Sequence, residues 1–181
     1  MNEAAIRLLD ALPPEQLAAE LGHCCGASRF VTELAARRPF GSEAALFAAA
    51  AAVEQQLSPA DWLEAFSHHP RIGDVAALRL KYASAQSKSW SQAEQAGVAA
   101  AEEEVLQALA AGNAAYEERF GYIFIVCATG KSAAEMLALL EARLGNEKAA
   151  ELPIAAGEQQ KITRLRLQKL LARLAPAETP S

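Results

Sequence analysis

The sequence predicts an all-α protein, and three features support this class. Hydrophobic residues make up 52% of the chain, and much of that share is alanine, the strongest helix former. Helix-capping signatures recur along the chain. Tyr122 to Ala128 is the one run rich in β-branched and aromatic residues. We therefore expect a single-domain bundle of about eight to nine helices over residues 1–175, a short extended segment near 122–128 and a disordered tail over 176–181.

Charge, hydropathy and cysteine content indicate which partners and which cellular compartment to expect. The net charge is −5, the pI is near 5.3 and the basic residues form no long cluster, so nucleic acid is not expected as a partner. No apolar run is long enough to span a membrane, and the acidic start of the chain does not resemble a signal peptide. Three cysteines, two of them adjacent, suit a reducing compartment. We expect a cytoplasmic protein.

Apolar periodicity and breakers place the helices of the first half. The pattern predicts helices over 3–12, 15–21, 29–37, 42–57, 58 to about 69, and 75–83, and Ser42 is expected to cap the fourth of them. Gly22 to Ser28 is predicted to be a turn. Ser58-Pro59-Ala60-Asp61 is a clear helix start, with serine at the N-cap, proline at the first helical position and an acid in the first turn.

Similar signals place the helices of the second half. Ser91 and Glu94 form a capping box that opens a helix to about residue 111, where Gly112 is expected to end it before a short helix over 113–119. Ser132 and Glu135 open another, to residue 144. A final helix is predicted over 157–174.

His69 is the first candidate for chemistry. Two of the three histidines, His68 and His69, are adjacent and stand directly before Pro70. Proline disfavours helical backbone angles at the preceding residue, so the helix is expected to end near His69 and leave its imidazole on an extended segment. Imidazole titrates near neutral pH and is suited to proton transfer. The alternative is a polar turn with a helix-terminal histidine.

Other polar residues have structural explanations as well as functional ones. Glu94 could bind only the backbone of its own cap, or it could face a substrate. Arg166 could simply face solvent on the last helix. The backbone groups of 122–128 lack a second strand and could be satisfied by a polar ligand. A zinc site at His23, Cys24 and Cys25 is not expected, because adjacent cysteines rarely converge on one tetrahedral ion; we predict small buried thiols.

Four stretches of the chain carry motifs that occur together in one protein family. They are His69-Pro70-Arg71-Ile72-Gly73; Ser91-x-x-Glu94-Gln95-x-Gly97; Asn113-x-x-Tyr116-x-x-Arg119-Phe120-Gly121 running into Phe124-Ile125-Val126-Cys127; and Glu158-x-x-Lys161-Ile162 with Arg166-Leu167. Each motif alone is weak, but all four, in this order and spacing, resemble the decarboxylases of 2-oxo-4-hydroxy-4-carboxy-5-ureidoimidazoline (OHCU). One departure is Tyr122-Ile123, where many members have Phe-Pro.

The resemblance implies a cofactor-free, metal-free enzyme, commonly a homodimer, that converts OHCU to (S)-allantoin at the end of urate degradation. His69 and Glu94 match the catalytic pair, and His68 takes a supporting place. The residues that match substrate contacts are Pro70, Ser91, Gln95, Phe124, Ile125, Val126, Cys127, Ala128 and Arg166. Which of His69 and Glu94 would deliver the C5 proton stays open.

Two other functions are compatible with the same residues. A non-catalytic helical interaction module of the same fold would have an exposed apolar groove. A metal-dependent hydrolase would use His68, His69 and a cysteine, and would bind zinc in stoichiometric amount.

Overall fold

A computed structural model describes residues 2–71, 75–82 and 92–175 of the chain. These residues form helices and connecting segments, without a β-strand among them, so the all-α prediction is confirmed. The helices are α1 (Asn2–Ala11), α2 (Pro14–Cys24), α3 (Ser28–Ala35), α4 (Glu43–Glu54), α5 (Pro59–Ser67), α6 (Val75–Tyr82), α7 (Gln92–Phe120), α8 (Ala133–Leu144) and α9 (Lys148–Leu174).

The chain divides into two compact units. The first comprises Met1–His69, Ile125–Cys127 and Ala155–Ser181, and the second comprises Pro70–Phe124 and Ala128–Ile154. The boundary falls directly after His69, and helix α9 contributes residues to both units. The expected disordered tail, 176–181, lies outside the described residues, and a single domain over 1–175 stays a prediction.

In the first unit, α3 is the central helix. It packs against α2, α4 and α5, and α1 packs against α4. Burial of apolar side chains from each of these helices removes them from water, which is the main force that stabilises such a bundle. Examples of fully buried side chains are Leu9, Leu17, Phe30, Leu46 and Phe66.

The second unit is organised around α7, which packs against α6 and α8. The prediction that Gly112 ends a helix is wrong, because α7 continues through it to Phe120. A Cβ atom on Gly112 would lie 2.6 Å from Cδ2 of the buried Leu140 in α8. The glycine therefore serves close helix packing instead of helix termination, a role that sequence alone does not reveal.

Three other helix boundaries were predicted wrongly. Helix α4 ends at Glu54 instead of residue 57. Helix α2 extends through Cys24, so Gly22, His23 and Cys24 are helical and not part of a turn. Helix α9 begins at Lys148 instead of Gly157 and contains Pro153 in its interior. Proline within a helix loses one backbone hydrogen bond. Tertiary contacts of Glu151 in the first turn offset that loss, because its carboxylate accepts bonds from Asn146 and Arg143.

The predicted caps at Ser42, Ser58 and Ser132 are confirmed. Each serine hydroxyl accepts a backbone N–H of the first turn, and the last two form full capping boxes with Asp61 and Glu135. Such caps stabilise a helix start by about 1 kcal/mol each. Within the described residues, no helix combines the length and the apolar character needed to cross a membrane.

Candidate active site

Helix α5 places His69 at its carboxyl end. The Ser58–Asp61 capping box and Pro59 fix the start of α5, and the helix ends at Ser67. His68 occupies the C-cap, and the His69 N–H still donates to the Phe66 carbonyl at 3.1 Å. The predicted helix end before Pro70 is therefore confirmed. His69 is half-buried, whereas His68 and Pro70 are exposed.

The imidazole of His69 is held by one neutral side chain. Its Nε2 lies 2.6 Å from Oε1 of Gln159 on helix α9. Burial lowers the pKa of His69, the hydrogen bond to Gln159 opposes this, and the charge of Arg166 lowers the pKa further. The net pKa lies below the ordinary imidazole value of about 6.5. His69 is therefore neutral at neutral pH, the form in which an imidazole acts as a base.

Arg166 lies on the same face of α9 as Gln159, because it follows Gln159 by seven positions, which is close to two helical turns. Its Nη1 donates to the backbone carbonyl of His23 at 3.1 Å, which ties α9 to the end of α2. Arg166 as a whole is partly exposed. The prediction of a substrate-facing role stays a prediction, but the charge of Arg166 does act on His69.

The segment predicted to be extended, 122–128, pairs with no β-strand among the described residues, and Ile125 and Cys127 in it are buried. The backbone N–H of Cys127 donates to Oε2 of Glu158 at 2.8 Å, and Lys161 forms an ion pair with the same carboxylate. A side chain of α9 thus satisfies one of the backbone donors for which a ligand had been considered. The substrate contacts expected of Ile125, Val126 and Cys127 stay predictions.

Phe124 and Ala128 flank this segment and belong to the second unit. The Phe124 ring packs edge-on against Tyr116 at 5.2 Å, and the Arg143 guanidinium lies 4.7 Å from the ring centroid. The carbonyl of Ala128 accepts the N–H of Lys131 at 3.1 Å in a turn. These contacts of Phe124 and Ala128 all lie within the second unit.

The remaining predicted contacts are described only in part. Glu94 and Gln95 lie near the start of α7, in the second unit, and their side chains are outside the described part of the chain. Ser91 lies outside it altogether. The catalytic role of Glu94 and the substrate contacts of Ser91 and Gln95 stay predictions.

The cysteines match the prediction of buried thiols. Cys24, Cys25 and Cys127 are all free and buried. Burial is the main cause that raises the pKa of Cys24 to about 12 and that of Cys25 to about 11, so both stay protonated and are poor metal ligands or nucleophiles. Across residues 2–71, 75–82 and 92–175, no cluster of three or more histidine, cysteine, aspartate or glutamate side chains could hold a metal ion.

Sequence reasoning missed the residues that support His69. Gln159 is fully buried and was given no role, and Glu158 was part of a motif without an assigned function. Thr163, one turn after Gln159, is also buried and contacts it. A signal was present, because Gln159, Thr163 and Arg166 recur at helical spacing on a face otherwise occupied by apolar residues.

The fold and the site define a class of protein: an all-helical protein with a neutral, half-buried histidine beside an arginine, an arrangement suited to proton transfer on an anionic small molecule. The family model described as OHCU decarboxylase matches residues 10–168. The chain therefore belongs to the OHCU decarboxylase family.

Individual relatives agree with this assignment. The chain is 40% identical over 149 residues to the uric acid degradation bifunctional protein TTL of Arabidopsis thaliana, covering 82% of this chain and 45% of that one. It is 37% identical to the OHCU decarboxylase of Amia calva, covering 57% of each. The chain thus spans about half the length of these two curated relatives.

Among solved structures, the chain is similar to one described as OHCU decarboxylase in the presence of (S)-allantoin. The TM-score is 0.68 at 36% identity, with 84% of this chain and 97% of that chain covered. An (S)-allantoin synthase structure shares the fold, with a TM-score of 0.63 at 20% identity, and covers 91% of this chain and 53% of that one.

Proposed function

We propose that this protein is a cofactor-independent decarboxylase that converts OHCU to (S)-allantoin. The observation that carries the proposal is His69, which is bonded to Gln159 at a helix end and kept neutral by burial, in a chain that the OHCU decarboxylase family model matches over 10–168. Further support comes from the similar structure described with (S)-allantoin.

The proposed reaction needs no external electron acceptor, because the substrate carries one. When the bond between C4 and the carboxylate breaks, carbon dioxide leaves and its electron pair forms a C4–C5 double bond. The electrons of the adjacent C=N bond move to the ring nitrogen, which takes up a proton. The resulting enol then loses its hydroxyl proton and gains one at C5, which gives the ketone of allantoin.

Proton handling falls to His69 and Glu94 in this proposal. His69 polarises or deprotonates the 4-hydroxyl, and one of the two residues delivers the C5 proton to a single face. A general acid or base typically contributes about 10²–10⁴-fold to the rate. Arg166 would hold the substrate's carboxylate, for which the forked guanidinium is geometrically suited.

The extended segment and the remaining polar residues would orient the ring. In this proposal Ser91, Gln95 and the backbone of Phe124 to Ala128 contact the ureido and ring amides, and Pro70 lines the site. We also propose a cytoplasmic homodimer. Leu80, 82% exposed, is the kind of apolar side chain that a partner subunit would cover. Light scattering on the purified protein would test the dimer, and a monomeric mass at working concentrations would contradict it.

The decisive experiment supplies freshly generated OHCU, made from urate with urate oxidase and the hydrolase that follows it, in the presence of EDTA. Circular dichroism follows the allantoin formed. Spontaneous decay gives racemate, so a single enantiomer that appears only with the protein would support the proposal. Absence of a signal from folded protein would contradict it and favour the interaction module.

A matched pair of variants assigns the chemistry to His69. We expect His69→Asn to lose activity by about 10²-fold or more while its circular dichroism spectrum stays that of the folded protein. His23→Asn is the control, because the His23 side chain is 82% exposed. Near-native turnover in His69→Asn would refute the role of His69.

A further inference from the structure

The orientation of the Gln159 side-chain amide can be deduced from Thr163. The Gln159 amide has two polar partners: its oxygen lies 2.6 Å from His69 Nε2, and its nitrogen lies 3.3 Å from Thr163 Oγ1. The Thr163 hydroxyl has a single hydrogen, and it donates that hydrogen to the backbone carbonyl of Gln159 at 3.0 Å. Toward the amide, Thr163 can therefore only accept, so the amide must present its NH₂ group to Thr163.

The surroundings of Thr163 strengthen this deduction. Two other acceptors, the carboxyl group of Glu54 and the thiol sulfur of Cys25, also interact with the Thr163 hydroxyl. Whichever of these acceptors takes the single hydrogen, none is left for the side-chain amide of Gln159. All four residues are less than 9% exposed, so water does not substitute for a missing partner.

The amide orientation in turn decides the tautomer of His69. With its nitrogen on Thr163, Gln159 offers His69 an oxygen, which only accepts hydrogen bonds. His69 Nε2 must then carry the hydrogen, and Nδ1 is left with the lone pair. We propose that Thr163 is a positioning residue that fixes the Nε2–H tautomer of His69 through Gln159, so that Nδ1 is the atom that acts as the base. This inference deepens the proposed decarboxylase function and, for the role as base, rests on it.

The test compares Thr163→Val with Thr163→Ser. Valine reproduces the shape of threonine without the hydroxyl, whereas serine keeps the hydroxyl. In Thr163→Val we expect both imidazole tautomers to be populated and kcat to fall about tenfold with little change in KM, because one buried hydrogen bond no longer distinguishes the two amide orientations. Thr163→Ser should restore both properties.

Nitrogen-15 chemical shifts of the imidazole rings report the tautomer directly, without substrate. The chain has three histidines, so the signal of His69 is assigned by its absence in His69→Asn. An unchanged Nε2–H tautomer in Thr163→Val would overturn the inference, even if that variant lost activity. Equal loss of activity in the valine and serine variants with an unchanged tautomer would reduce Thr163 to a packing residue.

A second variant keeps the test informative if Thr163→Val does not fold. In Gln159→Glu the carboxylate still accepts from Nε2–H, and its negative charge should raise the pKa of His69 against the opposing charges of Arg166 and His68. The acidic limb of kcat/KM should move to higher pH while the Nε2–H tautomer persists. A tautomer that changes to Nδ1–H in this variant would refute the proposal.

The two proposals fail separately. If the tautomer responds to Thr163 but no form of the protein consumes OHCU, the decarboxylase function is wrong and the positioning of His69 stands. If wild-type protein produces (S)-allantoin but the tautomer of His69 is unchanged in Thr163→Val, only the positioning role of Thr163 is wrong.

Discussion

Each of the two units contains a buried polar cluster built on helix α9, and the two clusters differ in charge and in completeness. In the second unit, the Glu151 carboxylate accepts from Tyr116, Arg143 and Asn146, so both of its oxygens are satisfied. The cluster in the first unit is largely neutral and links four side chains in series, those of His69, Gln159, Thr163 and Glu54.

The cluster in the first unit leaves one buried polar atom without a hydrogen bond. Among the described atoms, the buried Oε1 of Glu54 has no hydrogen-bond partner, and the cluster ends at a titratable, half-buried imidazole. A buried cluster in which every charged group is paired stabilises a single conformation, because every change of protonation or rotamer is costly. The cluster in the first unit instead ends at an imidazole, the side chain whose ordinary pKa lies nearest to neutral pH and which is therefore suited to exchanging a proton. We infer that the second cluster serves stability and the first serves chemistry.

The largest expected effect lies in the second unit. Glu151→Gln removes the charge that balances Arg143, whose side chain is only 9% exposed, and should lower the free energy of unfolding by about 3–5 kcal/mol. Urea denaturation measures this. Glu20→Gln breaks the more exposed pair with Arg173 and should cost under about 1 kcal/mol. Equal effects from the two variants would mean that burial does not distinguish the two pairs.

Glu54 should make stability depend on pH. Burial raises the pKa of Glu54 to about 7 from an ordinary 4.5. Between these values the folded protein binds more protons than the unfolded chain. Its contribution to stability is therefore present below about pH 4.5 and is lost as the pH rises to about 7, by about 3 kcal/mol in all.

The variant Glu54→Gln removes this dependence. We expect it to be more stable than wild type at pH 8 and close to wild type at pH 4.5, as measured by denaturation at each pH. Glu15→Gln, an exposed glutamate of α2, is the control and should change neither value. A wild-type protein whose stability does not fall between these pH values would show that Glu54 is ionised without penalty.

Arg166 places a positive charge near the neutral cluster of the first unit, where it lowers the pKa of His69. Arg166→Gln should raise KM about tenfold to a hundredfold, because the proposed charge-assisted bond to the substrate anion would be lost. It should also move the acidic limb of kcat/KM to higher pH, because the positive charge that lowers the pKa of His69 is removed. Arg164→Gln on the same helix is the control, since Arg164 stacks on the Phe47 ring. If the two variants behave alike, Arg166 is a surface residue.

The smallest expected effect is a change in stability when either of two helical glycines is replaced by alanine. Gly112→Ala should destabilise by about 1–2 kcal/mol, because the added methyl group meets Leu140 in a packed interface. Gly157→Ala, where nothing lies within 4 Å, should stabilise α9 by about 0.5–1 kcal/mol. Thermal denaturation resolves the two signs. A stabilising Gly112→Ala would mean that α7 and α8 separate easily.

The sequence by itself determined the features that depend on neighbouring residues. Alanine content, apolar periodicity and serine caps at 42, 58 and 132 predicted the helices and several of their starts. The proline after His69 predicted the end of α5. Family motifs predicted the family, which the family model confirms over residues 10–168. They also made His69 the candidate base, which stays a prediction.

Tertiary structure alone decided features that depend on residues far apart in the sequence. Gly112 and Pro153 read as breakers, yet both are helical, because close packing on Leu140 and the bonds to Glu151 outweigh local propensity. The partnership of His69 with Gln159 joins residues 90 positions apart, and no local pattern encodes it. The burial that holds the pKa of His69 below its ordinary value likewise exists only once the helices have packed.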